Sequence, residues 1–179
     1  MKKWGTSYIL VGKLWDKVVD SGSPGNRRSA FKAEIEHMFL GQYTHSLDSK
    51  GRLIVPARFR EEIDGSVYLT QGFDQNLRML PEKTFESIYQ RVTGMSTTDP
   101  VARQLRRLIF SSAQKVDLDN NGRILIPNYL RDVASLGSEA IIIGVGESIE
   151  IWSPEAWEQQ NLLLQDADAN AQRFAALDV

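Results

Sequence analysis

Cysteine is absent from the sequence, and histidine occurs only twice, as His37 and His45. The protein can therefore form no disulfide bond, thiolate zinc site or cysteine nucleophile, and we expect neither a metal ion nor a cofactor. No apolar run approaches the roughly 20 residues that a transmembrane helix needs. Because Lys13, Asp16 and Lys17 interrupt the N-terminal apolar stretch, a signal peptide is not expected either. These absences favour a cytoplasmic protein.

A large excess of charge of one sign is also missing, since the formal net charge is −2. The total by itself therefore argues against a nucleic-acid partner, but the charge is unevenly distributed. Residues 38–60 contain four Lys or Arg and one Asp, whereas residues 155–179 contain five acids and one Arg. Local fields steer partners, so the near-neutral total does not exclude DNA.

Candidate catalytic groups are few. His45 lies in an alternating segment, where a histidine is more often a half-exposed strand residue than a general base. The adjacent acids Glu61 and Glu62 come with no sign of the pocket that acid–base catalysis requires. Ser111–Ser112 lacks the glycine setting of a hydrolase nucleophile, and residues 144–146 lack the remainder of a phosphate-binding loop. We expect no enzyme; a small hydrolase using His45 or a glutamate pair is the weakest alternative.

An internal repeat dominates the chain. Asp-Ser-Lys-Gly-Arg-Leu-Ile-Val-Pro at residues 48–56 recurs as Asp-Asn-Asn-Gly-Arg-Ile-Leu-Ile-Pro at residues 119–127. Asp, Gly, Arg and Pro are identical at an offset of 71 residues, and residues 77–80 match 149–152 at an offset of 72. A chain that repeats so specific a pattern is built from two copies of one structural unit.

Each copy of the pattern predicts a turn between strands, followed by a short helix. Asp48 and Asp119 accept backbone N–H groups inside the turn, and Gly51 and Gly122 supply a positive φ. We expect residues 42–47 and 52–55 to pair across the first turn as a hairpin, and the second turn to join its own flanking strands likewise. Further strands are predicted at 67–70, 77–80, 140–145 and 149–152, and helices after Pro56, Pro81, Asp99, Pro127 and Ser153.

Five segments follow from these patterns. Residues 1–37 contain a Ser/Gly/Pro-rich run and no period, which predicts a disordered extension or a true translation start at Met38. The others are a first repeat at 42–84, a helical connector at 85–112, a second repeat at 113–156, and a C-terminal helix with an acidic tail at 157–179.

Arg52 and Arg123 directly follow the turn glycines. An arginine at a hairpin end can reach a phosphate or a guanine edge, or it can pair with the aspartate of its own turn. Lys50 has no basic counterpart in the second turn, which makes the first turn the more cationic one. Two similarly oriented arginines would contact one extended partner twice.

Other arginines offer weaker candidates. Arg58 and Arg60 follow Pro56, at positions that Tyr129 and Arg131 occupy in the second copy; they either widen the basic surface or are solvated helix residues. A further set shares one predicted helix face, which favours a solvated or intersubunit ion-pair surface over DNA contact: Arg103, Arg106 and Arg107.

Four segments together resemble the MraZ family of bacterial transcriptional regulators over about residues 38–165: 38–41, 47–56, 99–101 and 119–127. Members of that family are encoded by the first gene of the division and cell-wall gene cluster. The resemblance implies an α+β fold, a β-rich tandem SpoVT-AbrB-like repeat of the swapped-hairpin barrel type with peripheral helices. It also implies a ring-shaped homo-oligomer that binds G-rich direct repeats in promoter DNA, including that of its own operon.

The resemblance places DNA contact at Arg52, with Lys50 beside it, and by the repeat at Arg123; Arg58 is added from its position after Pro56. Asp48, Gly51, Asp119 and Gly122 form the turns. We therefore expect a nucleoid-associated transcriptional regulator that binds double-stranded promoter DNA and takes no small-molecule substrate. The alternative is a structural or protein-interaction ring without DNA binding.

Overall fold

The structure is a computed structural model that describes residues 38–63, 65–175 and 177. The chain separates into two units, Met1–His37 and Met38–Val179, and only the second contains described residues. The extension expected at residues 1–37 therefore lies outside the described part of the chain. Among the described residues, no helix combines the length and hydropathy of a membrane span, and no cluster of three metal-ligating side chains occurs.

Eight strands and six helices make up the described part of the chain. The strands are β1 (Phe39–Ser46), β2 (Arg52–Ile54), β3 (Val67–Gln71), β4 (Leu77–Pro81), β5 (Gln114–Val116), β6 (Arg123–Leu125), β7 (Glu139–Gly146) and β8 (Ile149–Trp152). The helices are α1 (Ala57–Glu61), α2 (Glu82–Thr93), α3 (Pro100–Ser112), α4 (Asn128–Val133), α5 (Pro154–Gln165) and α6 (Ala167–Phe174). The expected α+β class is confirmed, since all strand pairs are antiparallel and the helices lie outside the sheets.

The strands form a six-stranded sheet in the order β1-β7-β8-β4-β3-β5 and a separate two-stranded ribbon of β2 and β6. The predicted local hairpins are wrong in their pairing. Strand β1 meets β2 only through an isolated bridge between Leu47 and Leu53, then runs along β7 for its whole length. Strand β5 likewise pairs with β3 of the first repeat instead of β6. Each repeat thus gives its first strand to the other, as a swapped-hairpin fold requires.

The two repeats are related by an approximate twofold axis. It passes between Leu53 and Ile124 in the ribbon and between Arg78 and Glu150 at the centre of the large sheet. These two pairs are separated by 71 and 72 positions, so at the axis each residue faces its own counterpart in the other repeat. Each turn consequently lies beside the end of the ribbon strand of the other repeat, where Ile126 N–H donates to Gly51 O and Val55 N–H donates to Gly122 O.

The core lies between the ribbon and the large sheet and is shared by both repeats. Within each ribbon strand, the middle residue is fully buried and its neighbours face outward, as strand alternation dictates. Phe59 of α1 packs edge-on against Phe39 and Tyr43 of β1. The most buried hydrophobic residues come equally from the two halves of the chain: Leu53, Val55, Phe59, Val67, Leu69, Leu77, Met79, Leu80, Ile124, Ile126, Leu130, Ala134, Ala140, Ile142, Ile149 and Ile151.

Arginines of α3 stabilise the peripheral helices. Arg106 donates hydrogen bonds to the carbonyl oxygens of Val92, Thr93 and Met95 at the end of α2. Arg103 donates to two carbonyl oxygens in the α2–α3 loop. These two side chains therefore form neither a solvated face nor a DNA-contacting face. Arg106 satisfies carbonyl groups at the C-terminal end of α2, and Arg103 satisfies carbonyl groups of the loop that follows it.

We predict that Leu53→Ala destabilises the protein by about 2–5 kcal/mol, because it removes a fully buried side chain at the twofold axis and leaves a cavity. Ile54→Ala is the matched control: Ile54 is adjacent but 41% exposed, and its loss should cost less than about 1 kcal/mol. Urea unfolding of the two variants measures the difference. Equal destabilisation would contradict the burial of the ribbon.

Candidate nucleic-acid interface

The first turn is held closed by the backbone and by one aspartate. Gly51 N–H donates to Asp48 O at 2.8 Å, and Asp48 N–H donates to Arg52 O at 3.0 Å. Asp48 Oδ1 also accepts the backbone N–H groups of Lys50 and Arg52, at 2.9 and 3.0 Å. Gly51 has a φ of 77°, a conformation that residues with a Cβ rarely adopt. Asp and Gly are therefore the residue types that this turn needs.

The second turn repeats this geometry bond for bond. Gly122 N–H donates to Asp119 O at 2.8 Å, and Asp119 N–H donates to Arg123 O at 2.8 Å. Asp119 Oδ1 accepts from the backbone of Asn121 and Arg123, both at 2.9 Å, and Gly122 has a φ of 70°. The repeated sequence thus encodes two nearly identical turns.

Each turn arginine forms an ion pair with the aspartate of its own turn. Arg52 Nε and Nη2 both lie 2.6 Å from Asp48 Oδ2. Arg123 Nε and Nη2 lie 2.8 and 2.7 Å from Asp119 Oδ2. The side chains stay 32% and 23% exposed, and each guanidinium has five N–H donors, so donors remain for a partner. The ion pair fixes the orientation of each arginine and does not fully cover it.

The arginines change the ionisation of both aspartates. The side-chain hydrogen bond from Arg52, followed by its backbone N–H, lowers the pKa of Asp48 from 3.8 to about 2. Arg123 lowers the pKa of Asp119 to about 2 in the same way. The Asp119 carboxylate in turn raises the pKa of Arg123. Both turns therefore hold ionised pairs across the physiological pH range.

The two turns converge on one place. Asp48 Oδ2, which pairs with Arg52, also lies 3.9 Å from Arg123 Nη1 of the other repeat. Both guanidinium groups therefore lie within a few ångströms of one carboxylate oxygen, on opposite sides of the twofold axis. The expectation of two similarly oriented arginines spaced along an extended partner is wrong for a single chain, because the axis relates them in opposite orientations.

The ribbon completes this surface. Arg52 faces Leu125 across the two strands, and Ile54 faces Arg123. Ile54 and Leu125 are 41% and 54% exposed, so the outward face combines two arginines with two aliphatic side chains. This mixture of guanidinium donors and apolar groups can address guanine edges and thymine methyl groups in a major groove.

The remaining candidates lie around the turns. Lys50 is exposed at the tip of the first turn, and its side chain has no hydrogen-bond partner among the described residues. Arg58 is exposed on α1 and likewise has none there. Arg60, which the sequence offers only as part of a wider basic surface or a solvated helix face, lies against Gly122 of the opposite turn, and its counterpart Arg131 lies against Gly51. Their separation of 71 residues, the repeat offset itself, is the signal that marks them.

Enzyme-like features are weak in the described part of the chain. His45 is half-buried on β1 opposite Ala140, away from any cluster of acids. A cleft between the starts of β7 and α5 is lined by serine, glycine, proline and glutamate and contains no histidine. Neither arrangement has the nucleophile–base geometry that hydrolysis needs.

We predict that removing the turn carboxylates destabilises the protein in a pH-dependent way. The folded-state pKa values of Asp48 and Asp119 lie below the ordinary 3.8, so their ionised forms stabilise the fold. This contribution is present above about pH 4 and is lost as the pH falls towards 2. In urea unfolding, the double variant Asp48→Asn/Asp119→Asn should therefore have a lower free energy of unfolding than wild type at pH 6. The difference should narrow by pH 2.

Asp74→Asn controls for the removal of negative charge, because it deletes one exposed carboxylate from the β3–β4 turn. If the unfolding free energies of wild type and the double variant differed by the same amount from pH 6 to pH 2, the ion pairs would not stabilise the turns.

Comparison with known proteins identifies relatives over most of the chain. The family model "MraZ protein, putative antitoxin-like" matches twice, at residues 38–108 and 109–178. The protein named transcriptional regulator MraZ of Thermomicrobium roseum is 46% identical over 141 residues, covering 78% of this chain and 99% of that protein. The protein of the same name from Roseiflexus sp. strain RS-1 is 44% identical over 138 residues, covering 77% and 94%.

A solution structure of PHS018 from Pyrococcus horikoshii covers 65% of this chain and 96% of its own, at 15% identity and a TM-score of 0.28. That likeness is too slight to support any argument. The two family matches correspond to the two repeats of turns and strands in the structure. The alignments with the two relatives cover nearly the full length of those proteins. The chain belongs to the MraZ family.

Proposed function

We propose that the protein is a sequence-specific DNA-binding transcriptional regulator whose contact surface is the converged pair of turns, residues 48–52 and 119–123. The observation that carries the proposal is the position of Arg52 and Arg123. Both are oriented by ion pairs, partly exposed and grouped around the twofold axis. Relatives at 44–46% identity carry the name transcriptional regulator, which supports the same role here.

Pre-orientation of the arginines favours recognition of bases. A guanidinium already held by a carboxylate loses little further conformational entropy when its free N–H groups meet guanine O6 and N7. Such an interaction contributes about 1–3 kcal/mol of discrimination against a wrong base. Lys50 and Arg58 would then contact phosphates beside the bases, where charge positions the protein without determining sequence.

Convergence of the turns also bears on assembly. Because one chain offers a single combined surface, a promoter with successive G-rich direct repeats, as the family resemblance implies, would engage one chain at each repeat. We propose a ring-shaped homo-oligomer for this reason, acting on the promoter of its own division and cell-wall operon. Linked surfaces bind successive repeats at high effective concentration, so avidity raises an individually modest affinity. The protein would act at the nucleoid, without a cofactor.

The alternative function is a structural or protein-interaction ring that does not bind DNA. The ion pairs of both turns favour it to some extent, since they neutralise the two arginines within the chain. Salt dependence separates the two functions. DNA binding releases counterions and weakens steeply with salt, whereas interactions between proteins are much less sensitive.

We predict that Arg52→Ala abolishes specific binding to the protein's own upstream DNA while the protein keeps its native size. Arg123→Ala should weaken binding less, because Arg123 is the less exposed arginine and lies near both aspartates. Removing one bidentate guanine interaction should lower affinity by about 5- to 150-fold per chain. Gel shifts on the upstream DNA and on a scrambled duplex, with size-exclusion chromatography as a check, measure these effects.

A salt titration of Lys50→Ala extends this experiment. Removing a phosphate-binding cation should reduce the slope of log affinity against log salt concentration by roughly one unit. The proposed face is wrong if Arg52→Ala binds as wild type does, or if Arg123→Ala has the larger effect.

A further inference from the structure

Each turn glycine is packed against an arginine from the opposite repeat. A Cβ on Gly51 would lie 2.9 Å from both Nε and Cζ of Arg131. A Cβ on Gly122 would lie 2.8 Å from Cζ of Arg60. Neither space could hold a methyl group without moving the guanidinium. The glycines are therefore required twice, once for their positive φ and once to admit the crossing arginine.

Backbone hydrogen bonds enforce the crossing. Ile126 N–H donates to Gly51 O at 3.0 Å, and Val55 N–H donates to Gly122 O at 2.9 Å. Each donor immediately precedes the proline that opens α4 or α1, so the start of each helix is attached to the turn of the other repeat. One helical turn beyond that proline, Arg131 and Arg60 are directed back over the turn.

The crossing arginines, Arg60 and Arg131, carry the charge that the turn arginines do not offer. Arg52 and Arg123 are neutralised by Asp48 and Asp119. Arg60, by contrast, is exposed, and its guanidinium has no hydrogen bond or ion pair among the described residues.

Arg131 is similarly uncompensated. Its Nη2 donates to the neutral amide oxygen of Asn128. Its Nε is buried and lacks any partner in the described structure. Each turn therefore receives an uncompensated positive charge from the other repeat, in addition to Lys50 of the first turn's own repeat.

We propose that Arg60 and Arg131 bind DNA phosphates, each beside the turn of the opposite repeat, so that every DNA-contacting turn is completed in trans by its partner repeat. This inference rests on the proposed function and identifies the residues that supply positive charge to the DNA-contacting surface. The turn arginines, oriented and neutralised, distinguish bases; the crossing arginines hold the backbone and set the register. A single repeat would contain two half-sites and no complete one.

The test compares Arg60→Gln and Arg131→Gln with Arg91→Gln, which removes an exposed arginine from α2, a helix packed against β4 and α3. Affinity is measured for the upstream DNA and for a scrambled duplex across a range of salt concentrations. Both crossing variants should weaken binding to the two duplexes by similar factors. Each should also lower the salt slope by roughly one unit for every phosphate that the variant no longer binds. Arg91→Gln should change neither quantity.

Arg52→Gln provides the contrasting pattern, because removing a base-reading side chain should weaken binding to the upstream DNA far more than to the scrambled duplex. Arg60→Lys and Arg131→Lys retain the charge and should keep the wild-type slope. If a glutamine variant changes its native size or unfolding midpoint, the lysine variants decide the question: a flattened slope in folded lysine variants would overturn the phosphate assignment.

A double-mutant cycle tests the crossing itself. A methyl group at Gly122 displaces Arg60, so Gly122→Ala and Arg60→Gln should not be additive in their effect on DNA affinity. Gly122→Ala combined with Arg131→Gln should be additive, because Arg131 lies at the other turn. The reverse pattern would overturn completion in trans.

The outcomes also separate the two proposals. If wild-type protein binds neither duplex, the proposed function fails and this inference fails with it. If wild type prefers the upstream DNA and Arg52→Gln removes that preference, the proposed function stands. In that case, crossing variants that behave like Arg91→Gln would overturn this inference alone.

Discussion

Pairing of β2 with β6 is the constraint on which the rest of the structure depends. These three-residue strands come from different repeats, and their antiparallel register places Leu53 against Ile124 on the buried side. The outward side then necessarily carries Arg52 and Arg123, because alternate residues of a strand face opposite ways. The same pairing brings each turn glycine within hydrogen-bonding distance of the other repeat. Core, twofold axis and basic surface thus follow from one short ribbon.

Charge at the turns is divided between two kinds of arginine. One kind lies directly after the turn glycine and is held by a carboxylate whose pKa it lowers to about 2. The other kind crosses from a helix of the opposite repeat and has no carboxylate partner among the described residues. The first arrangement favours orientation, since two N–H groups held by one carboxylate oxygen restrict the side chain. The second favours attraction of anions, since its charge is uncompensated.

The geometry of the turns is predictable from the sequence, whereas the pairing of the strands is not. The Asp-x-x-Gly-Arg pattern correctly predicted both turns, because Asx hydrogen bonds and positive φ are decided within five residues. The predicted hairpin between β1 and β2 was wrong, since β1 instead pairs with β7 almost a hundred residues away. A strand's alternation shows which face is buried but not which strand lies beside it. The role of Arg106 is not predictable from the sequence for the same reason, because its three carbonyl partners lie at the end of another helix.

The amino-acid sequence by itself determined the two-copy organisation, the α+β class, the family and the types of residue at the turns. All of these depend on patterns that are local or that recur at a set offset. Only the tertiary structure decided that the repeats exchange strands, that Arg52 and Arg123 meet at one carboxylate, and that Arg60 and Arg131 lie over the opposite turns. The physical reason is that a strand can satisfy its hydrogen bonds with either repeat. The shared hydrophobic core, which buries side chains of both repeats together, selects the exchanged arrangement.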